Sequence, residues 1–400
     1  MIPTAGLPQV LLLRDVQDVR RVLGRMQVSA AGINIMDKKA LFRVVHVKGI
    51  DVRAANILKQ EMLSRGGEVA TSREVYELGG REAECLVMGT LAQYERLLPK
   101  LRDQPFGLRD LSEAMIAAIA NIDSGVPTCH PLLQFPYRPL VMGVLNVTPD
   151  SFSDGGDFFE PDVASARARQ MAAEGADLID IGGQSVRPYA DPVSPEMELQ
   201  RVLPLVSELA EELGIPVSVD TSRAAVASAA LEAGAALIND TTALQGDPEM
   251  VAVLRDAGCP VVLMHMQGSP ATMQIDPTYD DVVEDIYAWF VERLNWAIDQ
   301  GLAEENLLVD PGIGFGKTVE HNLALLRHLR SFRSLGRPVV IGMSRKYFLG
   351  ALLDIPEPKE RTLATVATTV IAAREEADII RVHDVAENVQ ALKVVRAVYG

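Results

Sequence analysis

From residue 140 to the end of the chain, short apolar runs alternate with longer amphipathic stretches, and few folds accommodate that order. The runs at 140–145, 178–181, 216–219, 236–239, 260–264, 307–309, 338–341 and 378–382 read as buried strands. Segments rich in Ala, Glu, Arg and Leu lie between them, as at 164–174, 195–213, 223–232 and 364–376, and read as helices. Gly175, Gly214, Gly234, Gly258 and Gly336 stand where those helices should end. Eight such units across 140–400 match the size of a (β/α)8 TIM barrel. An open doubly wound sheet is the alternative. The even strand count and the polar residues after nearly every strand favour closure.

The first third of the chain reads differently. Strand patterns at 42–47 and 85–88 mix with helix patterns at 54–64, 91–102 and 111–122. Residues 1–126 are therefore expected to form a small α/β N-terminal domain, whose role the sequence leaves open. Residues 127–139 hold Pro127, Pro131, Pro136 and Pro139 and resist both helix and central strand, so they read as a linker. Residues 140–400 form the barrel domain.

Composition narrows the function. A net charge of −16 opposes non-specific binding to nucleic acid or to an anionic membrane. An anionic ligand would need a local cluster of Arg and Lys. Cys85, Cys129 and Cys259 form no paired pattern, which argues against a disulfide framework or a structural zinc site. The apolar patch at 10–13 has neither a basic leader nor a small-residue cleavage site, and no apolar run is long enough to span a bilayer. A cytoplasmic protein is the expectation.

Polar residues recur at the strand ends. Asn146 follows the first run, Arg187 lies in the loop after the second, and Asp220 follows the third. Asn239 ends the fourth, and His265 follows the fifth. Asp310 opens a glycine-rich loop through Phe315 to Lys317, Lys346 follows the seventh run, and Arg381 and His383 mark the eighth. A single Asp after a strand is commonly a helix cap, and a lone His such as His265 is commonly a satisfied interior residue. The loop 312–317 lacks the spacing of a phosphate-binding loop. Eight polar strand ends meeting on one rim of a barrel are harder to explain as caps.

Asp220, Asn239 and Asp310 offer carboxylate and amide edges that suit the paired N–H donors of a flat, guanidine-like heterocycle. Lys346 could donate to a ring carbonyl. Arg381 and His383 alternate on one strand end and are expected to share a face. With Asn146 and Arg187 they could hold a polyphosphate. Magnesium fits only as a partner of ligand phosphates held by few protein groups.

These segments resemble the signatures of dihydropteroate synthases. Leu145-Asn-Val-Thr-Pro-Asp-Ser-Phe-Ser-Asp-Gly-Gly156 resembles the first, and Asp180-Ile-Gly-Gly-Gln-Ser-Val-Arg-Pro188 the second. Val217-Ser-Val-Asp-Thr221, Ile238-Asn-Asp240, Asp310-Pro-Gly-Ile-Gly-Phe-Gly-Lys317, Ser344-Arg-Lys346 and Arg381-Val-His-Asp384 follow in the family's order. The resemblance covers about residues 138–399, and the segment 54–67 is similar to part of a long form of the synthase.

The resemblance implies a transferase that joins 6-hydroxymethyl-dihydropterin diphosphate to 4-aminobenzoate and releases diphosphate. It implies that Asn146 contacts a magnesium–diphosphate and that Arg381, His383 and a closing Arg187 bind diphosphate. Asp220, Asn239, Asp310 and Lys346 would grip the pterin, with Phe315 and the region of Ser344 holding the aminobenzoate. It also implies a homodimer.

The departures cluster in the second signature. Gln184 stands where the family carries glutamate, Val186 replaces a ligand-side threonine, and Tyr189 replaces a glycine. Tyr347 stands where a serine is common. Two other readings follow: a pterin-binding module with weakened or lost turnover, and a barrel passing a methyl group from a methyl-pterin to a corrinoid. The second does not need the Asn146 loop or the Arg381–His383 pair.

Overall fold

The computed structural model describes residues 9–77, 80–123, 128–135, 137–147, 161–184, 193–270 and 272–399. The chain divides into two compact units, Met1–Gly125 and Val126–Gly400.

In the first unit, β1 (Phe42–Asp51), β2 (Glu68–Thr71) and β3 (Glu82–Thr90) form an antiparallel sheet in the order β1-β3-β2. Burial along β3 alternates residue by residue, as a sheet covered on one face requires. Val47, Val69, Cys85 and Val87 point to the covered face and pack with Ala55, Leu58, Leu97 and Leu101 from the helices Val52–Leu63 and Leu91–Leu101. Thr90 and Gln93 form a capping box that starts the second of these helices directly from the strand. The small α/β domain is as expected, with one strand more than the sequence pattern indicated.

In the second unit, eight parallel strands follow one another: β4 (Leu140–Asn146), β5 (Leu178–Gly182), β6 (Val217–Asp220), β7 (Leu237–Asp240), β8 (Val261–Met264), β9 (Leu307–Asp310), β10 (Val340–Gly342) and β11 (Ile379–Val382). Their order in the sheet is β10-β11-β4-β5-β6-β7-β8-β9. A parallel bridge between Val309 and Val339 joins the two outer strands and closes the barrel. This is the expected (β/α)8 TIM barrel.

Strand parity divides the core. Val141, Ile179, Ile181, Val217, Val219, Ile238, Val261, Leu263, Val309 and Ile380 pack outward against the helices. Leu140, Met142, Leu178, Leu237, Val262, Leu308, Val340 and Ile379 fill the interior near the N-terminal ends of the strands. Leu133, from the proline-rich stretch expected to be a linker, is fully buried in that same interior cluster, beside Phe135. The stretch thus contributes to the barrel floor, and its short 3-10 turn Pro131–Leu133 positions the plug.

Two residues further along the strands, the inward parity turns polar. It brings up Asp180, Ser218, Asp220, Asn239, Asp310 and Arg381. The register explains why they meet: Asp180 pairs with Ser218, Asp220 with Asn239, and Gly342 with Arg381 across neighbouring strands.

Candidate active site

Polar groups with no water to solvate them must satisfy one another, and the interior layer does so through one carboxylate. Asp180, fully buried, accepts from Ser218 Oγ at 2.6 Å, from Asn239 Nδ2 at 3.1 Å and from Arg381 Nε at 2.6 Å. Arg381 Nη2 reaches Asp220 Oδ2 at 2.8 Å. One guanidinium therefore lies between two carboxylates. Burial raises the Asp220 carboxyl to about 7, against the lowering effect of Arg381 and with help from the negative charge of Asp180.

On the far side of the layer, Asp310 Oδ1 accepts the Gly312 amide at 2.7 Å. Burial pushes its carboxyl upward, opposed first by Lys346. Lys346 donates to the Ile313 carbonyl, and its Nζ sits 4.5 Å from the centre of the Phe315 ring. Burial lowers this ammonium to about 8, while Asp310 pulls it back up.

At the rim, Asn146 Nδ2 is 3.2 Å from His383 Nε2, and Ser344 Oγ is 2.8 Å from His383 Nδ1 and 3.1 Å from its backbone nitrogen. With the amide oriented this way, Asn146 Nδ2–H points at His383 Nε2, and His383 Nδ1 faces the Ser344 hydroxyl. Asn146 Oδ1 then takes no hydrogen bond among the described residues.

The geometry gives the two residues of the last motif different partners. Arg381 lies within β11 and points to the interior, whereas His383 follows the last strand residue, Val382, and reaches across to Asn146 and Ser344. Arg187 and Val186 of the second signature lie outside the described residues, as do Thr148–Gly156 of the first and Tyr189. Gln184 is partly exposed, just past β5. Among the described residues, the fold brings Asn146, Asp220, Asn239, Asp310, Phe315, Lys346, Arg381 and His383 to one end of one barrel.

Two residues gain importance from the structure. Asp180 was visible only as the first letter of a motif; its signal was a lone carboxylate inside an otherwise apolar strand, at the same parity as Gly182. Lys317 looked like the end of a weak phosphate loop. Its buried Nζ instead meets His265 Nδ1 at 3.0 Å and the Phe315 carbonyl at 2.9 Å. Burial holds this lysine well below its ordinary value and lowers His265 to about 2, and the pair braces two loops. His265 also stacks edge-on against Trp289 at 4.9 Å, as an interior histidine does.

Residues 142–383 match the model of a family described as pterin binding enzyme. That span takes in every strand of the barrel except the start of β4. The chain belongs to the pterin-binding enzyme family. Within it, the dihydropteroate synthase of Synechocystis is 45% identical over 274 residues, which is 68% of this chain and 95% of that protein. A probable bifunctional folylpolyglutamate synthase/dihydropteroate synthase of Haloferax volcanii is 41% identical over 397 residues, 96% of this chain. The chain spans only 46% of that relative's length.

Solved structures of the pterin-binding family agree with the barrel. A Yersinia pestis dihydropteroate synthase with a sulfonamide drug superposes with a TM-score of 0.62 at 49% identity, covering 65% of this chain and 94% of that one. A Xanthomonas albilineans dihydropteroate synthase with 4-aminobenzoic acid gives 0.62 at 46% identity, covering 65% and 93%. Another from the same organism, in complex with 7,8-dihydropteroate, gives 0.60 at 43% identity, covering 66% and 95%.

Proposed function

We propose that this chain is a dihydropteroate synthase of folate biosynthesis. In this reading it transfers the pterinylmethyl group of 6-hydroxymethyl-7,8-dihydropterin diphosphate to 4-aminobenzoate. The carbon–oxygen bond to diphosphate breaks, the amine nitrogen bonds the methylene carbon, and the amine loses a proton. The observation that carries the proposal is the interior layer itself. Carboxylates and an amide able to match a flat heterocycle sit beside Arg381, and His383 and Asn146 stand just beyond.

Asp220 and Asn239 supply the edge that pairs with the pterin N–H groups. Lys346 donates to the ring carbonyl, and the Asp310 carboxyl group, for which Lys346 is the foremost opposing charge, stabilises positive charge at the methylene. Arg381 and His383, joined by Arg187, bind the diphosphate. Phe315, Val186 and the Ser344 region flank the aminobenzoate. The aromatic amine is neutral at pH 7 and needs positioning more than a strong base.

Magnesium belongs to this reading as a partner of the diphosphate. The free Asn146 Oδ1 is a hard oxygen donor of the kind such an ion accepts, and one protein oxygen suits an ion carried largely by phosphates. When bound, the ion supplies charge neutralisation on the leaving group. A homodimer and a cytoplasmic location complete the proposal by likeness to the family. No helix of the described residues is long and apolar enough to cross a membrane.

The deciding experiment mixes purified protein with magnesium, pterin diphosphate and 4-aminobenzoate. Diphosphate release and dihydropteroate formation are expected. Binding of both substrates by calorimetry without release would replace the synthase with a pterin-binding module, the reading that Gln184 favours. Light scattering should give twice the chain mass; a single chain mass would remove the dimer.

A further inference from the structure

The polar layer contains an arrangement that ordinary substrate gripping does not require. Arg381 is bonded along two different edges. Its Nε faces Asp180 at 2.6 Å and its Nη2 faces Asp220 at 2.8 Å. The two carboxylates differ in how they are held. Asp180 is fully buried and fixed by Ser218 at 2.6 Å and Asn239 at 3.1 Å. Asp220 Oδ2 has Arg381 as its side-chain partner among the described residues, and Asp220 ends its strand at the mouth of the site. One bond of Arg381 is thus anchored and the other exchangeable.

We infer that Asp180 is a positioning residue that pins Arg381 by its Nε edge, so that Nη2 is exchanged between Asp220 and a bound diphosphate. The inference rests on the synthase reading of the site. A pterin that engages Asp220 competes for the carboxylate and releases Nη2. Diphosphate that engages Nη2 releases Asp220 to the pterin. Each ligand removes a contact that the other would have to break, so each favours the other through a chain of direct contacts. Without the pin, the guanidinium follows whichever partner binds and the link is lost. Asn239, which also leans on Asp180, ties the pterin-side amide to the same anchor.

The test measures binding without catalysis. Calorimetry on the full chain would use 6-hydroxymethylpterin, which carries no phosphate, and inorganic diphosphate with magnesium chloride. Each ligand should tighten the other by about fivefold or more, the lower end of usual site-to-site coupling, and by the same factor in both directions. Asp180→Asn keeps the shape and removes the charge. It should reduce the coupling to less than about twofold, whatever it does to either affinity alone. A merely structural role would weaken one or both affinities and leave the coupling factor as it was, and that result would overturn the proposal. Should Asp180→Asn fail to fold, the wild-type measurement still decides: independent binding of the two ligands rejects the exchange. A wild-type chain that binds neither ligand would reject the synthase reading itself; one that binds both without coupling rejects only this inference.

Discussion

The side-chain amide of Asn146 lies 3.2 Å from Nε2 of His383, so the first and last strands of the barrel meet at the rim although the residues are 237 positions apart. The contact orients both side chains. Asn146→Ala and His383→Ala should each lower turnover at least about tenfold, as loss of a charge-stabilising group does. Because they touch, the double variant should fall short of the product of the two losses, with an interaction of about 0.5–3 kcal/mol in a double-mutant cycle on kcat. Fully multiplicative losses would show that the contact has no part in catalysis.

The pH profile follows from two buried groups. Asp220, raised to about 7 chiefly by burial, becomes a carboxylate only above that value, so pterin binding should weaken as pH falls through it. Lys346, lowered to about 8 by burial, loses its charge above that value. A bell-shaped kcat/KM is expected, with limbs near these two values. Lys346→Arg should move the alkaline limb upward; an unmoved limb would assign it to another group.

The same groups set opposing stability slopes. Asp220 binds a proton in the folded state where the unfolded chain has lost it, so its contribution to stability falls as pH rises toward about 7. Lys346 has lost its proton above about 8 where the unfolded chain still keeps one, so its contribution rises from there toward its ordinary value. Urea midpoints of Asp220→Asn and Lys346→Met, compared with wild type across pH, should differ in opposite senses.

Arg381→Ala leaves Asp180 and Asp220 facing each other without their cation. About 3 kcal/mol of destabilisation is expected from stranding a buried charge, read as a lower urea midpoint at neutral pH. Pterin binding should fall together with diphosphate binding. The sequence suggested separate ligands for Arg381 and Asp220, but the bond between them means their variants cannot affect the two ligands independently.

Glycines offer a control on the loop that carries Phe315. Gly312 and Gly214 both have left-handed backbones, with φ of +70° and +65°. A Cβ at Gly214 meets nothing within 4 Å, whereas one at Gly312 would lie 1.9 Å from the His265 carbonyl oxygen. Gly214→Ala should cost about 1–2 kcal/mol, the backbone cost alone. Gly312→Ala should cost clearly more and reduce turnover as well, because the loop must leave the His265–Lys317 brace. Equal midpoints for the two variants would contradict this.

Strand and helix alternation was legible because each barrel strand is covered on both sides and reads as a continuous apolar run. The predicted run 178–181 and the observed Leu178–Gly182 differ by one residue. β2 escaped notice because Glu68–Thr71 offers only one fully buried position and no measurable period. Site residues at strand ends were legible as polar breaks after apolar runs. Asp180 was less so, because a buried carboxylate inside a strand acquires its meaning from Ser218, Asn239 and Arg381, which no local pattern brings together. His383 lies one residue past the end of β11, and its contacts with Asn146 and Ser344 join parts of the chain that no local pattern brings together.

The floor of the barrel has a consequence for traffic. Leu133 and apolar interior residues from seven of the eight strands, all but β6, fill the end opposite the polar layer. The barrel is a blind-ended well. In the synthase reading, both substrates would then have to enter and leave over the one polar rim, the second above the first.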